Sequence, residues 1–288
     1  MSKHNLTDIK EIRAVMSMFG KHFSKSLGQN FLINSGVIED TVSGSGVTKD
    51  TNVLEIGPGI GTLTMALAES ANKVIAVEID TKLLPVLDYT LEDYDNVSII
   101  HGDILKLDIN ELYNEHFKSG KVHVVANLPY YITTPIIMKL LEHRELFESI
   151  TVMVQKEVAL RLAADEGSKD YSAVSIAVGY YAEPEIITFV RPEDFCPPPK
   201  VHSAVIKLNI RENPPFTPED EKFFFKLVKA GFAQRRKTFI NSVSSSGISK
   251  SDAAAALAEI GLDENIRAEK ISPKEFCLLS DILYKKSK

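Results

Sequence analysis

Two short stretches hold the groups that could bind a ligand and act on it. In residues 52–61 an apolar run, Val53, Leu54 and Ile56, breaks into Gly57, Gly59 and Gly61, and Thr62 then opens a helical pattern through Leu63, Ala66 and Leu67. Strand, glycine loop and helix in that order build the ligand crevice of open α/β folds, because glycines let backbone come close to the bound molecule. In Asn127-Leu128-Pro129-Tyr130 a side-chain amide and a peptide carbonyl stand before a proline, which fixes the backbone, and an aromatic ring. No His or Lys stands within that tetrad. It therefore offers hydrogen-bond acceptors and a flat face, not a strong base.

Acids complete the set. Glu55 stands two residues before the first glycine, and Glu78 closes the second strand, 73–80, 21 residues after Gly57. A carboxylate at that distance can accept both hydroxyls of a ribose. Asp103 follows a third strand, Val97–Ile100, and Gly102. A dinucleotide fingerprint requires its third glycine at position 62, where this chain has Thr62. A pyrophosphate would gain nothing from Glu55, so a nicotinamide cofactor fits poorly. The plainer alternatives are a tight turn at the glycines, a solvent-facing strand end at Glu78 and an Asx turn at Asp103.

The elements that must position these groups follow from the pattern. A helix over 7–19, with Thr7 as its cap, precedes an aperiodic basic and amide-rich stretch, 21–32. A fourth strand begins at Val122 and runs into Asn127, a helix spans 135–143, and a strand covers 150–154. Gln155–Leu162 starts a further helix, and 171–178 reads as a packed one. Residues 186–190 and 201–210 form a hairpin at the sheet edge, joined by the proline-stiffened loop 191–200. Pro214–Pro218 reads as a linker. Beyond it an amphipathic helix, Phe223 to Phe232, runs on into the basic cluster 234–238, and short helices cover 248–260 and 272–284. The fold class is α/β and Rossmann-like, with domain 1–211 carrying the site and a small α-helical domain over 212–288.

Composition narrows the setting. A chain of 288 residues accommodates one large domain and a small one. No apolar run approaches a membrane span, the N-terminus lacks a signal-peptide core, and Cys196 and Cys277 form no C-x-x-C pair. These features point to a cytoplasmic enzyme without metal or disulfide. The net charge of −6 is unevenly spread: residues 1–196 hold 17 Lys and Arg against 28 Asp and Glu, and residues 197–288 hold 16 against 11. The basic half suits an anionic partner, or is simply a solvated face.

The segment E-I-G-P-G-I-G resembles motif I of the class I S-adenosylmethionine-dependent methyltransferases, and N-L-P-Y resembles motif IV of the amino-methyltransferases. With K-S-L-G-Q-N-F-L, F-C-P-P-P-K-V-H-S and F-A-Q-R-R-K-T, the resemblance spans nearly the whole chain. The sequence is identified as a member of the ribosomal RNA small-subunit adenine dimethyltransferase family. That resemblance implies S-adenosylmethionine as cofactor, with Asn30 and the Leu32 backbone at its methionine end, Gly57 and Gly59 beneath it, Glu78 on its ribose and Asp103 on its adenine amine. It implies that Asn127 and the Leu128 carbonyl hold the protons of the target amine, with Asn127 also beside the cofactor. Pro129 sets their geometry, and Tyr130 and Phe195 cover the two faces of the base; on the residues alone, a lone Phe before prolines reads equally as a core plug. Lys25, Lys200, Arg235, Arg236 and Lys237 would meet RNA phosphates.

The implied substrate is a pair of adjacent adenines in a hairpin loop near the 3′ end of 16S rRNA, within the small subunit or its precursor. No membrane and no obligate protein partner is implied. Adenine N6 is a poor nucleophile because its lone pair is delocalised, so catalysis rests on positioning. The sister family, the macrolide-resistance dimethyltransferases of 23S rRNA, shares N-L-P-Y, but the proline-rich loop and Q-R-R-K-T favour the small-subunit enzyme. A non-catalytic RNA-binding assembly factor with the same fold is the alternative from another class.

Overall fold

A computed structural model describes residues 4–20 and 30–287. In chain order the elements are α1 (Ile9–Met18), β1 (Phe31–Leu32), α2 (Ser35–Ser45), β2 (Asn52–Ile56), α3 (Thr62–Ser70), β3 (Lys73–Glu78), α4 (Leu84–Thr90), β4 (Val97–His101), α5 (Ile109–His116), β5 (Val122–Asn127) and α6 (Thr133–Glu142). There follow β6 (Phe147–Gln155), α7 (Lys156–Leu162), α8 (Ala173–Tyr181), β7 (Ala182–Val190), β8 (Phe195–Cys196), β9 (Ser203–Ile210), α9 (Glu221–Phe232), α10 (Phe239–Ser244), α11 (Lys250–Glu259) and α12 (Pro273–Ser287). The chain forms two compact units, one of residues 1–159 with 183–210 and one of 160–182 with 211–288.

The first unit is built on a seven-stranded sheet in the order β4-β3-β2-β5-β6-β9-β7. Strands β4, β3, β2, β5 and β6 run parallel, and β9 returns antiparallel to β6. Val53, Leu54, Val74, Ile75, Val124 and Val125 are fully buried, as apolar runs covered on both faces must be. From β2 the chain steps outward to β3 and β4, then crosses back to lay β5 on the other side of β2. Strand order reverses between β2 and β5. In open α/β sheets the ligand crevice opens there, beyond the carboxyl ends of the strands.

The second unit packs Phe224, Phe239 and Phe276, all fully buried, with Leu227, Leu257 and Leu279. The Phe239 and Phe276 rings meet edge to face with centroids 5.8 Å apart, an arrangement that aromatic quadrupoles favour. A side chain at Gly231 would come within 3.2 Å of the Phe276 ring, which explains the glycine inside α9.

Several sequence expectations are corrected. Residues 160–182, assigned from sequence to the first domain, belong to the second unit: Tyr180 and Tyr181 of α8 both hydrogen-bond Glu221 of α9. Asp8, not Thr7, caps α1, its carboxylate accepting from the Lys10 amide at 2.8 Å, while Thr7 turns to Asn5. The cluster 234–238 does not extend α9 but forms the turn into α10, which Thr238 caps. The stretch taken as loop up to residue 32 ends in a strand, β1.

One buried histidine makes the fold acid-sensitive. His123 on β5 places Nδ1 2.9 Å from the Ser149 hydroxyl of β6. Burial holds its pKa below the usual value; Glu148 opposes that shift and Lys207 adds to it. The folded state therefore takes up this proton less readily than the unfolded chain. The stabilisation is complete above the unfolded value, about 6.5, and is lost as pH falls from there toward the folded value. The melting temperature should fall more steeply between pH 7 and 5 in the native protein than in His123→Gln, by roughly the contribution of one group. Parallel melting curves for the two proteins would refute this assignment.

Candidate active site

A cavity of about 980 Å³, including its open mouth, lies at the point of strand reversal. Its walls come from the end of β2 and the turn after it (Glu55, Gly57, Gly59, Thr62), the end of β3 and beyond (Glu78, Ile79, Leu83) and the end of β5 and beyond (Asn127 to Ile132), with Asn30, Phe31 and Leu32 beside them. The glycine loop turns because all three glycines adopt left-handed backbone, with φ of 70° at Gly57, 64° at Gly59 and 94° at Gly61. Only glycine takes such angles freely. A Cβ at Gly59 would also lie 3.0 Å from the Phe31 ring, so the loop and the N-terminal strand fit together only without it.

Strand β1 is anchored on the proline-rich loop. Phe31 and Leu32 pair antiparallel with Cys196 and Phe195 of β8. The Ile33 amide donates to the Asp194 carbonyl at 2.8 Å, and the Asn34 side-chain amide donates to the Asp194 carboxylate at 2.8 Å. These bonds hold Asn30–Leu32 along the cavity wall.

Among the described residues two carboxyl groups line the cavity, and no Lys, Arg or His does. Glu78 is held by backbone: Oε1 accepts from the Asp80 amide at 2.7 Å and Oε2 from the Gly59 amide at 3.3 Å. Burial nonetheless pushes its pKa up. Glu55 is 1 % exposed, and its Oε2 has no hydrogen-bond partner among the described residues. Burial pushes this carboxyl from 4.5 up to about 8, against the Thr64 hydroxyl and with help from Glu78. Such a pair suits a cationic ligand and repels a phosphate.

On the opposite side of the strand reversal, the Asn127 side-chain nitrogen donates to the Asn30 carbonyl at 3.4 Å. Its Oδ1 and the Leu128 carbonyl accept nothing from the described residues. The turn is set by the Leu128 amide donating to the Met153 carbonyl at 3.2 Å and by the Thr133 hydroxyl donating to the Pro129 carbonyl at 3.1 Å. Tyr130 shares a 2.6 Å hydrogen bond with Ser203, and burial raises its pKa. The phenol is therefore neutral near neutral pH, and its ring is one wall of the cavity.

The structure thus gathers Asn30, Leu32, Gly57, Gly59, Glu78, Asn127, Leu128, Pro129 and Tyr130 around one cavity. Phe195 is a correction. It is 3 % exposed, packs among Leu32, Leu63, Val190 and Val205, and does not line the cavity. Its place is behind the strand that carries Leu32, in the core that backs the cavity wall. Asp103 lies beyond the lining. Its Oδ1 accepts from the Leu105 amide at 3.0 Å and its Oδ2 faces Lys106 at 3.5 Å. Lys200, Arg235, Arg236 and Lys237 are exposed, and Arg235 donates to the Lys169 carbonyl. Lys25 lies outside the described residues. Sequence reasoning missed Phe31, Ile79 and Tyr131 as wall residues; the second tyrosine directly after N-L-P-Y was the one available signal.

Fold and cavity together define a class I methyltransferase of the Rossmann-like type, and the solved structures agree. A dimethyladenosine transferase from Plasmodium falciparum superposes with a TM-score of 0.72 at 27% identity over 86% of this chain and 95% of that one. The 23S rRNA methyltransferase ErmE gives 0.68 at 25% identity over 88% and 100%. A family model described as ribosomal RNA adenine dimethylase matches residues 20–285. The chain is 50% identical to the ribosomal RNA small subunit methyltransferase A of Shouchella clausii over 94% of this chain and 93% of that one. It is 47% identical to the protein of the same name from Clostridioides difficile over 98% and 96%. The chain belongs to the ribosomal RNA adenine dimethylase family.

Two outcomes test the site. Because folding raises the Glu55 pKa, its contribution is fully favourable below about 4.5 and is lost as pH rises through about 8. Without ligand, Glu55→Gln should therefore flatten the decline in melting temperature between about pH 5 and 8; an unchanged slope would refute the assignment. Phe195→Ala should lower stability by about 3–5 kcal/mol, as truncation of a buried aromatic does. A variant with native melting temperature and impaired catalysis would instead place Phe195 against substrate.

Proposed function

We propose that this protein transfers methyl groups from S-adenosylmethionine to N6 of two adjacent adenines in the 3′-terminal hairpin loop of 16S rRNA, in the cytoplasm and within the small subunit or its precursor. The observation that carries the reading is a single cavity with two kinds of unanswered group. Glu55 and Glu78 are buried carboxyl groups that a bound cation would draw into the ionised form, with no cationic side chain of the described residues lining the cavity, while Asn127 Oδ1 and the Leu128 carbonyl accept nothing from the described residues. Sulfonium and ammonium groups answer the first, and an exocyclic amine with two protons answers the second.

In this assignment Glu78 takes the cofactor ribose, the Gly57–Gly59 backbone lies beneath the cofactor, and Asn30 with the Leu32 backbone closes over its methionine end. Ile79 and Leu83 give its base an apolar wall. Asp103 would read the cofactor adenine from the next strand, since the Gly102 amide donates to the Glu78 carbonyl at 2.9 Å and sets the two strand ends side by side. When bound, S-adenosylmethionine supplies an activated methyl group. The chain's own part is to fix the amine: Asn127 and Leu128 accept its protons, Pro129 holds the two acceptors, and Tyr130 stacks on the base. Stacking of this kind is worth roughly 1–3 kcal/mol, enough to offset the extrusion of one base.

Lys200, Arg236 and Lys237 are the exposed cations assigned to RNA phosphates. The names of the most similar relatives and the proline-rich loop favour the small subunit over the 23S substrate that ErmE's name carries. Small subunits lacking the modification, incubated with labelled cofactor, test the substrate. Incorporation into large subunits only, or into neither, would overturn the reading. Asn127→Ala should cut methyl transfer by about 100-fold or more, the scale of one positioned hydrogen-bonding group, with cofactor affinity little changed. Near-normal turnover in that variant would refute the acceptor role.

A further inference from the structure

Outside the cavity, the rim that continues from Tyr130 carries an exposed aromatic ring beneath a cation. Tyr130 is bonded to Ser203, the first residue of β9. Ser203 pairs with Gln155 at the end of β6, and the amide of the next residue, Lys156, donates to the His202 carbonyl at 2.9 Å. The Lys156 ammonium stands 4.8 Å from the centroid of the Phe189 ring. Phe189, near the end of the edge strand β7, is 52 % exposed. Tyr131 on the cavity side of the same rim is 61 % exposed.

A single aromatic left half in water is by itself ordinary on a protein surface. Here it stands together with a lysine and is joined to the cavity wall by three consecutive contacts. Arg191, two residues on, is tied to Glu193 and Asp194, so among the described residues the cation at hand to meet an anion at this ring is Lys156.

We infer that Phe189 and Lys156 form a second nucleotide subsite, which holds an unpaired base of the same RNA outside the cavity while the target base is inside. The ring stacks on the neighbouring base, and the ammonium meets its phosphate. Aromatic faces beside cations are how proteins hold single-stranded nucleic acid, and any base has a face to offer. The subsite rests on the RNA-methyltransferase reading. It adds to it a means of keeping a flexible loop in register: one nucleotide anchored on the rim limits where the next can go.

The test uses undermethylated small ribosomal subunits, labelled cofactor and the variants Phe189→Ala, Phe189→Trp and Lys156→Ala. Loss of the ring should raise the KM for subunits about tenfold, the effect of one lost stacking contact, with kcat and cofactor affinity unchanged. Tryptophan should restore KM to within about twofold, since it stacks at least as well. Lys156→Ala should reduce the salt slope of subunit binding by about one phosphate. A KM for Phe189→Ala within twofold of the native value would overturn the subsite. So would a raised KM that tryptophan fails to rescue and that accompanies a lower melting temperature, since that marks a packing role. Failure of the unmodified protein to methylate small subunits would remove the functional reading and the subsite together, whereas normal methylation with an indifferent Phe189 removes the subsite alone.

Discussion

Two carboxyl groups withdrawn from water into one cavity, with no cationic side chain of the described residues lining it, set the terms for the rest of the site. Burying an acid without a partner is costly, and a lone buried acceptor costs about 1–3 kcal/mol. The fold carries this cost at one location only because β2 and β3 are adjacent central strands whose ends open at the reversal of strand order. Glu78 is partly compensated by two backbone amides, Glu55 less so. Amides at a helix start would by themselves attract an anion. The two acids at the strand ends oppose that preference in a glycine loop of nearly dinucleotide-binding form.

The wall facing those acids depends on a distant part of the chain. Phe31 and Leu32 form a strand of two residues, too short to persist alone. It is kept in place by β8 and by Asp194, whose bond to Asn34 spans 160 residues of sequence. The prolines after Cys196 hold that loop out of regular structure and so leave its edge available for pairing. Phe195 belongs to this device. Its ring fills the core behind Leu32, and the cavity wall stands on it.

How much of this was legible follows the range of the interactions involved. Gly57, Glu78 and Asn127 were readable because each ends a central parallel strand, and such strands announce themselves as apolar runs broken by turn residues. Phe195 read equally well as a plug or a stacking ring, since a lone aromatic before prolines carries no period; only its neighbours from β1 and β9 decide. The placement of α8 was lost for a similar reason. Its small apolar residues fit either unit, and the hydrogen bonds of Tyr180 and Tyr181 to Glu221 are what commit it. The basic residues 234–238 looked like a helix end because sequence shows their charge but not where the α9 backbone stops.

The same local chemistry explains why a site with three ionisable walls needs no general base. Tyr130 is neutral and tied to Ser203, and Glu55 and Glu78 are buried acids whose pKa values are raised. None can take a proton from a neutral aromatic amine, whose acidity lies far outside their range. On the proposed reading none has to. An amine whose protons are held by the Asn127 oxygen and the Leu128 carbonyl turns its lone pair away from them, toward the remaining open side. Once the methyl arrives, the nitrogen is cationic and gives up a proton easily, to water or through the same two acceptors. The demanding step is therefore geometric, and geometry is what Pro129, the Met153 carbonyl and the Thr133 hydroxyl supply.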